Sequence, residues 1–204
     1  MRRGPASSLA LLLLLALGCH GTEPDAPQTR MDTYWSLARR ELRPWMSTEE
    51  RALTLAAWVA RSGTNDQRRK SVDGVPFLGL CGYRATVFQR LGARAGLAVR
   101  RVALENFAGS GHSAVEVHYD GAWHYLDVTY AGYFRRGDRI LSFDEIQAHP
   151  ESALPGMVVL DGSLDRWGDG TPVDNTERMR RNYTPEHLRG ASRMPLLQAR
   201  TAGV

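Results

Sequence analysis

Cysteine, clustered metal ligands, long apolar runs and charge of one sign are all scarce in this sequence. Its 204 residues contain two cysteines, Cys19 and Cys81, so an intramolecular disulfide would have to join that pair. Histidines never recur as HxxxH or HExxH, and cysteines never as CxxC, which removes the usual sequence grounds for a bound metal. The 26 basic residues barely exceed the 22 acidic ones, and two of them, Arg2 and Arg3, precede an N-terminal apolar run. A balance so near neutral gives no argument for nucleic acid or an acidic polymer as partner. The apolar run itself, residues 9–17, falls well short of the ~20 residues that a permanent membrane-crossing helix needs. No internal repeat occurs, which excludes a solenoid. What is present is a globular composition, 43% hydrophobic, in a chain of one-domain length.

The N-terminus has the layout of an export signal. Arg2 and Arg3 form its positive start, residues 9–17 its apolar middle, and Gly18 a small residue before a cut. Ala16-Leu17-Gly18-Cys19 resembles a bacterial lipobox, in which the cysteine is diacylated and becomes the first residue of the mature chain. The usual pattern has leucine where Ala16 stands. An ordinary secretory signal, with Cys19 incidental to it, is the other reading. His20 follows the cysteine where an aspartate would resemble an inner-membrane retention signal. The expectation is therefore a lipid anchor at Cys19 in the bacterial cell envelope, at the outer membrane rather than the inner. Lipidation would leave Cys81 without a disulfide partner. An unpaired thiol in an oxidising compartment is either sealed in the core or present for its chemistry.

Residues 1–18 are thus expected to be a signal, 19–30 a polar tether, 31–160 the folded domain and 161–204 an extension of unassigned structure. Helices are predicted over 33–42 and 48–62, the second capped by Ser47 or Thr48 with Glu49 and Glu50 in its first turn. A polar, basic connection spans 63–79, where Arg68-Arg69-Lys70 reads as a solvated run just ahead of Cys81. A helix begins at Cys81, carries Ala85, Phe88, Leu91 and Ala95 at spacings of three and four, and ends near Gly96. Residues 99–104 alternate as a strand. The clearest strand pair is 112–119 with 123–130, joined at Asp120-Gly121. Residues 140–146 predict a short strand leading into a helical turn, and 157–160 another short apolar segment. Asp165-Arg166-Trp167-Gly168-Asp169-Gly170 is superficially like a calcium loop, but Trp167 takes a ligand position and Thr176 stands where glutamate is required. No metal and no cofactor are expected.

Three residues carry the candidate chemistry. Cys81 opens a helix, where unpaired N–H groups and the positive dipole end lower a thiol pKa. Gly82 beside it lets a carbonyl approach the backbone. A small hydrophobe buried in the core is the competing account of Cys81. A two-residue loop at Asp120-Gly121 sets Tyr119 opposite Ala122, and alternation then puts His112 and Asp127 diagonally on one face, at a Cα separation of ~7–8 Å. A carboxylate there would orient the imidazole and stabilise its protonated form. An ordinary His–Asp surface pair would have the same spacing. His118 and His124 alternate to opposite faces, against a shared metal.

Gly79-Leu80-Cys81-Gly82-Tyr83-Arg84-Ala85 resembles the nucleophile segment of the transglutaminase-like superfamily. Gly111-His112-Ser113-Ala114-Val115-Glu116-Val117 resembles its histidine strand, and Trp123-His124-Tyr125-Leu126-Asp127-Val128-Thr129 its aspartate strand. Family members often carry an aromatic near Ala114 and a proline at Val128. The resemblance covers about residues 48–134. It implies an α+β, papain-like core, helices packed on an antiparallel sheet with the nucleophile at the N-terminus of the central helix. It implies a Cys81–His112–Asp127 triad acting on amide bonds through a thioester, most simply as a peptidase or amidase on a peptide or protein substrate. Protein-glutamine acyl transfer is one alternative. A non-catalytic envelope scaffold that keeps the fold is another. Gly82, Trp123 and Tyr130 are the substrate-cleft candidates. Nothing in the sequence fixes an oligomeric state.

Overall fold

The computed structural model describes residues 26–62, 80–160, 165–166 and 172–194. The signal-like segment, Cys19, the 63–79 connection with Arg68-Arg69-Lys70, and most of the Asp165 to Gly170 loop lie outside the described residues. Chain order runs α1 (Ala26–Ala38), α2 (Thr48–Ser62), α3 (Cys81–Arg94), β1 (Ala98–Phe107), β2 (Ser110–Tyr119), β3 (Ala122–Leu126), β4 (Gly132–Arg136) and β5 (Arg139–Ile140). It continues with α4 (Phe143–Ala148), α5 (Pro150–Ala153), β6 (Met157–Val159), β7 (Asp165–Arg166), β8 (Pro172–Val173), α6 (Asn175–Asn182), α7 (Pro185–Gly190) and β9 (Ser192–Arg193). The architecture is α+β, with antiparallel pairing throughout the named strands.

The central sheet has the order β3-β2-β1-β9. Its residues alternate between two apolar layers. Val115, Val117 and Leu126 face α1, α2 and α3, where Leu55, Val59, Phe88 and Leu91 complete one core. Val102, Leu104, Ala114 and Tyr125 face the other way, against Phe134, Phe143, Ile146, Met179 and Leu188. Period-two alternation thus gives the sheet two buried faces, each covered by helices.

Local chemistry sets the element ends. Ser47 forms a capping box on α2: its hydroxyl accepts from the Glu50 N–H at 3.1 Å, and its own N–H donates to Glu50 Oε2 at 2.7 Å. Helix α3 stops before Gly96, whose φ of +75° is the left-handed exit expected of glycine. Asp120 and Gly121 both have positive φ, and the hairpin register sets Tyr119 opposite Ala122 and Val115 opposite Leu126. That is the predicted register. The second strand is shorter than predicted, ending at Leu126 instead of 130, because the Asp127 backbone turns to exchange hydrogen bonds with Gly132 at 2.8 and 3.0 Å. Helix α1 also departs from expectation: it starts at Ala26, inside the proposed tether, and ends at Ala38 rather than 42.

The larger difference lies after residue 160. Asp174 caps α6, Thr184 with Pro185 starts α7, and β9 pairs with β1 through Leu104–Arg193 and Glu105–Ser192. Met179, Tyr183, Leu188 and Ala191 are buried in the second core. Within the segment assigned to an extension, α6, α7 and β9 pack on the central sheet. A buried carboxylate, Glu116 on β2, ties it down: it accepts from Arg100 at 2.8 Å, from Arg193 at 3.3 Å and from the Phe143 N–H at 2.9 Å. Among the described residues, no helix is long and apolar enough to cross a membrane.

Candidate active site

The end of β3 creates the site. β2 pairs with β3 over residues 115–119, so beyond Val115 the strand edge is open on that side. The first turn of α3 approaches there. Cys81, half-buried, is the first residue of that helix, behind Leu80 in extended conformation. Its sulfur lies within hydrogen-bonding reach of the His112 ring and of the Ser113 N–H. A Cβ on Gly82 would make an ordinary contact with Ser113 Oγ at 3.8 Å.

His112 is 8% exposed and held on all sides. Its Nε2 lies 2.7 Å from Asp127 Oδ2, which leaves Nδ1 for the thiol. Phe107 stacks on the ring at 5.1 Å between centroids, and Tyr130 lies nearly parallel at 6.1 Å. Asp127 is fully buried, and each of its oxygens has a donor: Oδ1 takes the Thr129 N–H at 2.9 Å, and Oδ2 also takes the Tyr183 hydroxyl at 2.5 Å. The Tyr125 hydroxyl lies 2.6 Å from that of Tyr183.

The electrostatics follow from these contacts. Burial would raise the Cys81 pKa, but the hydrogen bond and charge of His112, with the Ser113 N–H, bring it below the ordinary thiol value. Burial works against a charged His112, yet the charge and hydrogen bond of Asp127, with a smaller contribution from Cys81, push it up to about 10. Burial would likewise raise Asp127, and the His112 charge and bond, the Tyr183 hydroxyl and the Thr129 N–H hold it below the usual carboxylate range. All three directions favour a thiolate facing an imidazolium. Such an arrangement can attack a carbonyl carbon and return a proton to a leaving group.

Cys81, His112, Asp127, Gly82 and Tyr130 are therefore brought together. Trp123 is not. Its ring packs edge-on to His118 at 5.1 Å and lies under the Arg100 guanidinium at 4.2 Å, at the turn end of the hairpin. His118 is exposed, whereas His124 is buried with its two ring nitrogens on the carbonyls of Ile140 and Tyr119. Four contributors went unweighted in the sequence. Tyr183, Tyr125 and Phe107 build the pocket around the His–Asp pair. Arg84, 0% exposed, sends its guanidinium to the carbonyls of Ala60 at 2.9 Å and Thr129 at 3.1 Å, tying α3 to α2 and to the loop after Asp127. Arg84 was legible, since it lies four residues before Phe88 on the apolar stripe.

No family model matches the sequence, and no curated protein does. Among solved structures, one described as "Crystal structure of a TGase" is similar, with a TM-score of 0.40 and 16% identity. The match covers 63% of this chain and 37% of that one, so the chain spans little over a third of that protein's length. A likeness so distant decides neither fold nor activity.

Proposed function

We propose that this chain is an exported thiol enzyme of the transglutaminase-like kind, acting on amide bonds of a peptide or protein through a thioester. One observation carries the proposal: the Cys81 thiol, at the start of α3, meets an imidazole whose other nitrogen is fixed by a buried carboxylate. Surface His–Asp pairs are common, but a 0% exposed aspartate with a donor on each oxygen is built to hold a charged partner.

In this reading Cys81 Sγ bonds to the amide carbonyl carbon, and the backbone N–H groups of Cys81 and Gly82 at the start of α3, ahead of those of Tyr83 and Arg84 that donate to the Leu80 carbonyl, receive the oxyanion. His112 passes its proton to the departing amine nitrogen as the C–N bond breaks, leaving the acyl group on sulfur. Water then adds to the thioester, its proton going to His112, and the thiolate leaves with release of a carboxylic acid. Asp127 keeps the ring in place and its charge compensated throughout. Water is the favoured acceptor because it is abundant and no amine site is evident among the described residues. The cellular part of the proposal rests on sequence: residues 1–18 as a signal and Cys19 as the acylated residue place the enzyme in the bacterial envelope, at the outer membrane.

The test is incubation with a peptide library and envelope extract, following both cleavage products and acyl adducts on Cys81 by mass spectrometry. Cleavage with a transient adduct, absent in Cys81→Ala, is expected. Identical product sets from wild type and Cys81→Ala would end the proposal.

A further inference from the structure

The triad chemistry leaves Tyr183 unused, although among the described residues no other side chain outside the triad hydrogen-bonds to the Asp127 carboxylate. It comes from the turn between α6 and α7, in the segment that sequence patterning left without structure. It is 2% exposed, and its hydroxyl donates to Asp127 Oδ2 at 2.5 Å. That is the same oxygen that receives His112 Nε2 at 2.7 Å. Two donors therefore share one acceptor atom, while Oδ1 is occupied by the Thr129 N–H. Behind Tyr183 stands Tyr125, with 2.6 Å between the hydroxyls. Since the Tyr183 proton is committed to the carboxylate, Tyr125 donates to the Tyr183 oxygen and strengthens it as a donor. Burial and the neighbouring Asp127 charge hold both tyrosines well above their usual pKa, so neither becomes an acceptor-only phenolate.

Donors on one oxygen compete. The Tyr183 bond is strongest when His112 is neutral, because the carboxylate charge is then undivided. It weakens when His112 is protonated and draws on the same charge. By linkage, a donor that prefers the neutral-imidazole state eases the proton off the imidazolium. We infer that Tyr183 is a positioning residue that tempers how tightly Asp127 retains the His112 proton, so that His112 can act as an acid toward the leaving amine. The inference rests on the reading of Cys81, His112 and Asp127 as an acyl-transfer triad. It also makes the C-terminal segment part of the active machinery. A general acid works best with a pKa near the working pH, and His112 lies on the basic side of that range.

Other groups facing the pair are the Cys81 thiol from α3, Tyr130 from the loop after β3, and His187 of α7 beyond the Phe107 ring, 6.4 Å between centroids. Arg178 of α6 sits over the Tyr130 ring at 5.3 Å. Each is unchanged by removing one phenolic oxygen, so the substitution isolates the shared bond.

The experiment is an NMR titration of the His112 imidazole in the full chain, for wild type, Tyr183→Phe and Tyr125→Phe. Tyr183→Phe is expected to raise the His112 titration midpoint by about half to one pH unit, a fraction of a charge-assisted hydrogen bond. Tyr125→Phe should shift it the same way by less, and it reports independently if Tyr183→Phe folds poorly. A midpoint that stays put or falls in both variants overturns the inference, leaving Tyr183 as packing alone. Iodoacetamide labelling of the wild-type thiol, run alongside, separates the two failures. An inert Cys81 strikes the enzymatic reading, whereas a reactive Cys81 with an unmoved His112 strikes only the role of Tyr183.

Discussion

Burial alone would strip His112 of its proton, and what reverses it is a carboxylate 2.7 Å from one ring nitrogen with a thiol at the other. This has a consequence for stability. A histidine whose folded pKa is raised contributes its full stabilisation below the unfolded value of ~6.5 and loses it as pH climbs through about 10. Asp127, with a depressed pKa, contributes above ~3.9 and loses its share as pH falls. The gap in Tm between wild type and His112→Gln should therefore be widest between pH ~4 and ~6.5, narrowing steadily toward pH ~10 and again in stronger acid. A gap constant across that range would show that the pair carries no linked charge. Gly82 makes a second prediction at this scale. A methyl group there fits without a clash, so Gly82→Ala should keep the wild-type Tm and iodoacetamide rate while slowing amide turnover. An unchanged turnover would show that no substrate passes over that residue.

At the scale of elements, the hairpin was the most legible part of the chain. Asp120-Gly121 dictates the turn and the turn dictates the register as far as Val115 and Leu126, while His112 and Asp127 lie just beyond the paired residues. The capping box of α2, the start of α3 at Cys81 and its end at Gly96 were legible for the same reason, since each is written in adjacent residues. The early end of β3 was not. It depends on Asp127 pairing with Gly132, and on Gly132 lying so close to Met179 of α6 that a Cβ would overlap the sulfur. Gly132→Ala is predicted to cost about 1–3 kcal/mol by overpacking and to loosen the Asp127 loop. Chemical denaturation should show the loss, with thiol reactivity falling alongside it. A variant as stable as wild type would mean that Met179 simply moves aside.

At the scale of the molecule, α6, α7 and β9 close the second core and supply Tyr183 to the site. Their starts had signals, Asp174 before Asn175-Thr176-Glu177 and Thr184 before Pro185, but the helices are short and polar, and periodicity is weak over two turns. Why they pack could not be seen from their own residues, because the face they cover is made by β1, β2 and β3. Truncation after Val173 is predicted to expose Val102, Leu104 and Tyr125, to remove Tyr183 as a donor to Asp127 and Arg193 as a donor to Glu116, and to give a protein without a cooperative thermal transition. A truncated chain that still unfolds cooperatively and keeps Cys81 reactive would make the segment an appendage.

If Cys81 rests as a thiolate paired with His112, the pH dependence of its alkylation reveals it. Iodoacetamide labelling of the folded protein, followed by mass spectrometry, should rise at a lower pH than for an ordinary thiol. His112→Ala should restore the profile of an ordinary thiol, rising near pH ~8.5, and be about tenfold or more slower at pH 7. A wild-type profile that itself rises near pH ~8.5, unaltered by His112→Ala, would contradict the account.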